Sequence, residues 1–503
     1  MSLIKRLHLQ YLSIPVCVAG MLLSGTAIAG EDATARAMKL YEQHHYEEAV
    51  HVLRPAMAGM DSSHQAAFNL AMGMIHLGNA RLYREMKQSA QVIELDYLTR
   101  LSRQKTGTAS RFVDFYLGQA LVEVGKTAEG ITYLRKFVNQ AAVPSAAKEF
   151  AGIELGVAYS RQKQMQQAAQ AWSKLNLSKP EIKAALAGAY AAAGAQEKNP
   201  AAMADAAMGE AKAQRYIPGA RMVRNLLRAY SQSGATTKAL DLLDASELKE
   251  ASYVEELGAS KSINFYDLSL LGDLARTHLQ AAILYLEQAS RDTKIGSTAN
   301  YFLAEAYLQQ GNAEASLRTS AGLLAQTQIL PQYRELARVH QASAQNMAGQ
   351  RAEANVMWQS VAEKYAADPA ILAEVIQACA RAKADCTKIE KQALAAVDKG
   401  EGKKFFPLNA ALGKYYLQKN DYQKAVVYME AGRDKANKNK IEANDPVMLI
   451  ALAEAYYRSK KFSESLEIYF ELGKQYPVVR QIQEAMQGIY SMEQQSAGDV
   501  KIF

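Results

Sequence analysis

Serine and lysine stand at S-x-x-K spacing twice, in Ser102-Arg103-Gln104-Lys105 and Ser160-Arg161-Gln162-Lys163, and Lys105-Thr106-Gly107 spells K-T-G. Such a set serves acyl transfer when the lysine assists a serine nucleophile and K-T-G follows well downstream on a strand. Here K-T-G overlaps one S-x-x-K and precedes the other, in a chain with no convincing strand, so both read as polar turns between helices. Lys399-Gly400-Glu401-Gly402-Lys403-Lys404 lacks the earlier glycine and the following Ser or Thr of a phosphate loop and reads as a solvated turn. His44, His45 and His51 have neither H-x-x-x-H spacing nor a nearby cysteine, which favours surface histidines over a metal site. H-E-x-x-H, G-x-S-x-G and C-x-x-C-H do not occur. The chain is therefore read as a non-enzyme, with no catalytic residue, no metal ligand and no cofactor assigned.

Cys379 and Cys386 are seven residues apart. On one continuous helix their Cα atoms would lie about 10.5 Å apart along the axis, beyond the roughly 7 Å a disulfide spans. A bond requires a turn between them, where Asp385 is placed to cap a new helix. Spacing leaves a disulfide and two buried thiols equally open, and either role is structural.

The third cysteine, Cys17, lies inside an amino-terminal apolar stretch, Leu12 to Leu23, preceded by Lys5 and Arg6 and followed by Ala27-Ile28-Ala29. That is the layout of a secretory signal peptide, 1–29, cleaved after Ala29; the apolar run is short of the ~20 residues of a spanning helix. No transmembrane segment is expected in the mature chain, and the expected location is periplasmic or secreted. Beyond residue 29 the chain carries 56 basic against 51 acidic side chains, too even a balance for a dedicated nucleic-acid binder. With 49% hydrophobic and 22% charged residues the composition is that of a folded protein.

The elements that must carry any site emerge from internal repetition. Leu155, Gly156, Tyr159, Ala168, Trp172, Leu175 and Pro180 set a template that returns as Leu412, Gly413, Tyr416, Tyr422, Ala425 and Met429, and as Leu452, Ala453, Tyr456, Phe462, Ser465, Tyr469, Leu472 and Pro477. Large apolar residues three and four apart bury one face of each helix, and the small residue lets a partner helix approach. With weaker copies included, the small-residue mark falls at 37, 71, 118, 156, 187, 227, 304, 342, 413 and 453, with Leu227 standing in once. Gaps of 77 and 71 residues would each hide one degenerate unit, for about twelve hairpins in all.

This pattern resembles the tetratricopeptide repeat, a helix–turn–helix unit of about 34 residues. The resemblance implies an all-α fold of stacked hairpins, a right-handed α-solenoid, because one hairpin cannot bury its apolar face alone. The expected layout is an N-terminal array at 30–250, a degenerate helical connector at 251–290, a C-terminal array at 291–477, and a capping helix with a loose tail at 478–503. Where family members bind partners, the first helix of each hairpin lines the groove. Carried over register by register, the groove positions are Phe112, Phe115 and Gln119; Arg221, Arg224 and Arg228; Tyr301, Glu305 and Leu308; and Glu454, Tyr457 and Arg458. They do not reproduce the two-carboxylate clamp of chaperone-binding members. Arg221, Arg224 and Arg228 share one helical face, suited to an anionic segment or simply solvated. The resemblance implies a scaffold for protein partners, in an envelope assembly, export or polysaccharide-secretion complex; direct capture of an anionic polysaccharide is the alternative.

Overall fold

A computed structural model describes residues 29–59, 64–103, 110–141, 143–216, 218–245, 268–326, 329, 331–398, 406–433, 444–476 and 479–499. The expected signal peptide up to residue 28, the K-T-G triplet, the glycine–lysine turn up to Lys404 and the last four residues lie outside them. The described residues form 23 α-helices and no strand.

The helices are α1 Ala29–Glu42, α2 Tyr46–Leu53, α3 Gln65–Arg103, α4 Ser110–Glu123, α5 Thr127–Asn139, α6 Ser145–Arg161, α7 Met165–Trp172, α8 Pro180–Ala192, α9 Pro200–Ala213, α10 Ala220–Gln232, α11 Thr236–Ala245 and α12 Leu268–Ala289. They continue as α13 Gly296–Gln310, α14 Ala313–Ala325, α15 Pro331–Met347, α16 Arg351–Lys364, α17 Pro369–Arg381, α18 Thr387–Asp398, α19 Phe406–Gln418, α20 Tyr422–Ala431, α21 Pro446–Arg458, α22 Phe462–Gln475 and α23 Arg480–Asp499. Cα proximity divides the chain into two compact units, the first of residues 1–82 with 278–468, the second of 83–277 with 469–503.

The hairpins are made by one recurring turn. Just after the first helix one residue takes positive φ: His44, Gly125, Lys163, Gly194, Gly234, Gly311, Gly349, Lys383, Asn420 and Lys460, and the α8–α9 link adds Asn199. The amide after it then reaches back five residues, as from Gln164 to Tyr159, Asn312 to Tyr307 and Lys461 to Tyr456, which satisfies carbonyls the helix end would leave open. Second helices restart on local caps, with Asn312 accepting from the Ala315 amide and Asp421 from that of Lys424. Pro180, Pro369 and Pro446 open first helices, where a missing amide hydrogen costs nothing.

Each hairpin closes over small residues. Twelve positions beyond the register marks stand Ala168, Ala239, Ser316, Ala354, Ala425 and Ser465, all fully buried. Ser316 and Ser465 each turn a hydroxyl onto the register residue's own carbonyl, of Ala304 and Ala453. A Cβ added at Gly118 would sit 2.8 Å from Leu134 Cγ, and one at Gly156 would strike the Trp172 indole. Successive hairpins then pack in sequence: α13 on α15, α15 on α17, α17 on α19 and α19 on α21 in the first unit, and α4 on α6, α6 on α8 and α8 on α10 in the second.

A polar pin joins one repeat to the next. The register tyrosine of a first helix donates its hydroxyl to a carboxylate on the preceding helix: Tyr230 to Asp205 (3.0 Å), Tyr307 to Glu287 (2.5 Å), Tyr416 to Glu390 (2.8 Å) and Tyr456 to Glu430. Burial, reinforced by the adjacent carboxylate, raises each of these phenols above its ordinary value.

Three elements depart from the expected units. The mark at residue 71 predicts a hairpin, yet α3 runs 39 residues without a turn, because Gly73 and Gly78 serve packing: Leu286 lies against the first and the Tyr46 ring against the second. The gap between 342 and 413 does hold a hairpin, α17–α18, whereas in the other gap the described residues between α11 and α13 form one 22-residue helix, α12. Among the described residues ten hairpins stand, where about twelve are expected for the whole chain. The terminal helix reaches Asp499, so the tail expected from Ser496 is helical at its start; Ile482, Ala485 and Ile489 are buried, and Gly488 meets the Tyr97 ring of α3.

Two predictions follow from these contacts. Gly156→Ala should cost about 1–3 kcal/mol by overpacking against Trp172, while Gly209→Ala, in a helix with nothing within 4 Å, should gain about 0.5–1 kcal/mol; urea unfolding measures both. Tyr456→Phe should cost about 1–2 kcal/mol. Because the folded phenols are raised, their contribution is present below the unfolded value of about 10 and is lost at higher pH. The stability lost between pH 9 and 11.5 should therefore be smaller in Tyr456→Phe.

Candidate functional site

A polar cluster of the first unit joins two first helices, α13 and α15, to α3. Glu305 of α13 accepts from Arg81 of α3 and from Gln309 Nε2 at 3.0 Å. One turn earlier Tyr301 stacks on the His340 ring of α15, centroids 4.9 Å apart and planes 18° apart, with the Tyr333 ring at 5.2 Å. Residues four and seven apart share a face of their helix, which is how α13 and α15 bring these groups together. Tyr301, Glu305 and His340 are 7–8% exposed.

Charge decides the protonation states. Burial alone would raise the Glu305 carboxyl, but Arg81, His340 and Arg381 hold it at about 2, so it is ionised throughout the physiological range. Burial, with Arg381 and Arg81 nearby, lowers His340 to about 4, against the partial offset of Glu305. The imidazole is thus neutral near pH 7, and among the described residues its Nδ1 has no hydrogen-bond partner. Burial raises Glu374, and Glu305 adds to the effect while Arg381 and Arg81 oppose it. The cluster is a fixed ion pair beside a neutral imidazole and two phenol rings, with no serine or cysteine nucleophile among the residues named.

In the second unit the arginine face is an interior feature. Arg221, Arg224 and Arg228 are 5%, 2% and 3% exposed. Arg221 lies over the Phe150 ring at 4.7 Å. Arg228 reaches Asp273 at 3.4 Å and Glu154 at 3.5 Å, and Gln232 donates to the same Asp273 at 2.8 Å. Burial raises the Asp273 carboxyl although Arg228 and Gln232 oppose it. All three are buried rather than solvated, and α10 turns Arg221 toward an aromatic ring and Arg228 toward acidic side chains of neighbouring helices.

Phe112 and Phe115 are likewise core rather than groove, 5.7 and 5.4 Å from the Phe137 ring. Glu454 and Arg458 pair with each other at 2.8 Å, Arg458 lies over the Tyr422 ring at 5.5 Å, and Tyr457 is buried against Phe462. Of the groove positions, Tyr301 and Glu305 thus come together with residues the sequence reading passes over, Arg81 and His340. The signal for His340 was available in its first-helix position beside Ala342; Arg81 was hidden because its helix reads as a hairpin.

Cys379 and Cys386 are bonded, with Cα atoms 5.9 Å apart. α17 ends at Arg381, Lys383 takes positive φ, and Asp385 accepts from the Thr387 amide as α18 begins. His44 and His45 flank the first turn, bonded to Tyr46 at 2.9 Å and Glu48 at 3.1 Å. No helix among the described residues is long and apolar enough to cross a membrane.

The spacing of the turns, the small-residue register and the packing of hairpin on hairpin define an all-α fold of repeated helical hairpins, the fold that the tetratricopeptide resemblance implies. No family model and no curated protein matches the chain. Among solved structures it is similar to the Cut9–Hcn1 heterotetramer of the APC/C, at 14% identity over 95% of this chain and 94% of that one with a TM-score of 0.28. It is also similar to yeast Tom70, at 10% identity over 94% and 99% with a TM-score of 0.34. The P58(IPK) TPR domain matches at 15% identity over 70% and 99%, with a TM-score of 0.19. Likenesses of this degree say nothing about partners.

Two outcomes test the electrostatics. Removing one partner of a fully buried ion pair costs about 3–5 kcal/mol, but the Arg81 side chain is 38% exposed. Solvent screening therefore brings the expected cost of Arg81→Met down to about 1–3 kcal/mol by chemical unfolding. His340, lowered in the folded state, contributes stability that is present above the unfolded value of about 6.5 and lost as pH falls through about 4. His340→Gln should flatten the pH dependence of unfolding in that window.

Proposed function

We propose that this chain is a non-enzymatic interaction scaffold of the bacterial envelope, exported by its amino-terminal segment to the periplasm or beyond and holding a protein partner within an assembly, export or polysaccharide-secretion complex. The observation that carries the scaffold reading is the repeated hairpin turn, which devotes the first unit from α13 to α21 to one kind of element and places Tyr301, Glu305 and His340 on its first helices, with Arg81 of α3 beside Glu305. Export rests on the basic, apolar and small-residue pattern of residues 1–29, and the Cys379–Cys386 bond suits an oxidising compartment. The alternative, direct binding of an anionic polysaccharide, has less support, since Arg221, Arg224 and Arg228 are buried and Arg228 faces Asp273 and Glu154.

Crosslinking in intact cells followed by capture of the chain should recover a defined protein, and recovery should fall in a Tyr301→Ala, Glu305→Ala variant that still folds. Fractionation should place a form starting near Gly30 outside the cytoplasm. Capture that responds to glycan competition and not to the groove variant would overturn the reading. Replacing Cys379 and Cys386 by serine should cost about 2–3 kcal/mol, the loop-closure contribution of so short a ring.

A further inference from the structure

One hairpin of the first unit, α17–α18, closes differently from its neighbours. In the four hairpins around it, the amide that closes the first turn of the second helix belongs to Ser316, Ala354, Ala425 or Ser465, all small and fully buried. In α17–α18 the same amide, bonded at 2.8 Å to the Cys386 carbonyl, is that of Glu390. Seven residues before the positive-φ turn residue, those four first helices carry Ala304, Ala342, Gly413 and Ala453, whereas α17 carries Ile376. The link is longer too: α18 starts four residues after Lys383, while α14, α16, α20 and α22 each start two after their turn residue. A seam built on small residues from both helices cannot close in the same way where the two register positions hold isoleucine and glutamate.

Two other sets of bonds stand in for it. The Cys379–Cys386 disulfide joins the last turn of α17 to the residue before α18. Glu390 turns to the next repeat and accepts from Tyr415 Oη at 2.6 Å, Tyr416 Oη at 2.8 Å and Lys419 Nζ at 3.3 Å, all on or just after α19. Ile389, Ala393 and Val397 bury a stripe along α18, so the disulfide secures the end that the seam leaves loose. Cys379 and Cys386 are themselves buried, yet Asp385, Thr387 and Lys388 around Cys386 are exposed. A displacement of the start of α18 is then enough to bring a reductant to the bond.

We propose that this disulfide is a redox-operated clasp: oxidised, it holds α18 where Glu390 reaches α19; reduced, it frees the start of α18 and loosens that contact between repeats. An external dithiol carries out the step. Its thiolate attacks one cysteine sulfur and breaks the Cys379–Cys386 bond, and its second thiol displaces the cysteine held in the mixed disulfide. Two electrons and two protons thereby pass from the dithiol to the two cysteines, and the dithiol leaves as its own disulfide. Opening so short a ring returns freedom to the link alone. Hairpins that do not touch α17–α18 keep their packing, because each repeat leans only on its neighbours. An oxidising compartment keeps the clasp shut.

Hydrogen exchange read by mass spectrometry on the full chain, with and without dithiothreitol and in the absence of denaturant, tests the clasp, complete reduction being checked by mass after alkylation. Protection of α18 should fall about tenfold or more on reduction and that of α19 by a smaller factor, while α13 and α14 keep theirs. A Cys379→Ser, Cys386→Ser variant should resemble the reduced chain and not respond to dithiothreitol; should it not fold, the reduced native chain decides alone. A bond that dithiothreitol breaks only in urea, unchanged protection of α18 after full reduction, loss confined to α18 with α19 untouched, or equal loss along the whole first unit would each overturn the proposal.

Discussion

A helical hairpin with one apolar face cannot be stable by itself, and the rest of this structure answers that constraint. Each pair of helices must approach closely enough to exclude water from its own seam and still offer a second face to the next pair. The small residues at the register mark and twelve positions later meet the first need; the first-helix contacts from α13 to α21 and from α4 to α10 meet the second. The left-handed residue at each turn sets the chain reversal that both require. Six of these ten turn positions are Gly or Asn; the others, His44, Lys163, Lys383 and Lys460, accept a less favourable backbone because the hairpin demands it.

Polar groups in this fold follow the same logic. The tyrosine pins cross from one repeat to the preceding one, so the phenol that belongs to the repeat template also ties neighbours together. Glu305 keeps its charge in a buried setting because Arg81 and Arg381 stand beside it, while burial and the same two arginines hold His340 neutral against the pull of Glu305. Ion pairs of this kind fix the arrangement of helices more than they stabilise it, since desolvation offsets much of the attraction.

Much of the fold was legible because its signal is periodic. Gly156, Gly413 and Ala453 set a register that the structure keeps, and the step of 71 residues between Ala342 and Gly413 pointed to the hairpin now seen as α17–α18. The failures have a common origin: a glycine in a helical pattern has two readings, turn or close contact, and only the partner decides. Gly78 carries the Tyr46 ring, so α3 runs on where a hairpin is expected. The arginines of α10 misled for a related reason. Spacing showed that they share a face, but Phe150, Glu154 and Asp273, which make that face an interior one, lie 45 to 78 residues away in sequence.

The account stands on nearest-neighbour packing of hairpins, and hydrogen exchange across a Gly413→Val variant tests it most directly. Crowding at this one register residue should strip protection from α19 and α20 and, more weakly, from α17, α18 and α21, while α4 to α8 keep theirs. Equal loss along the whole chain, or loss confined to α19 alone, would contradict it.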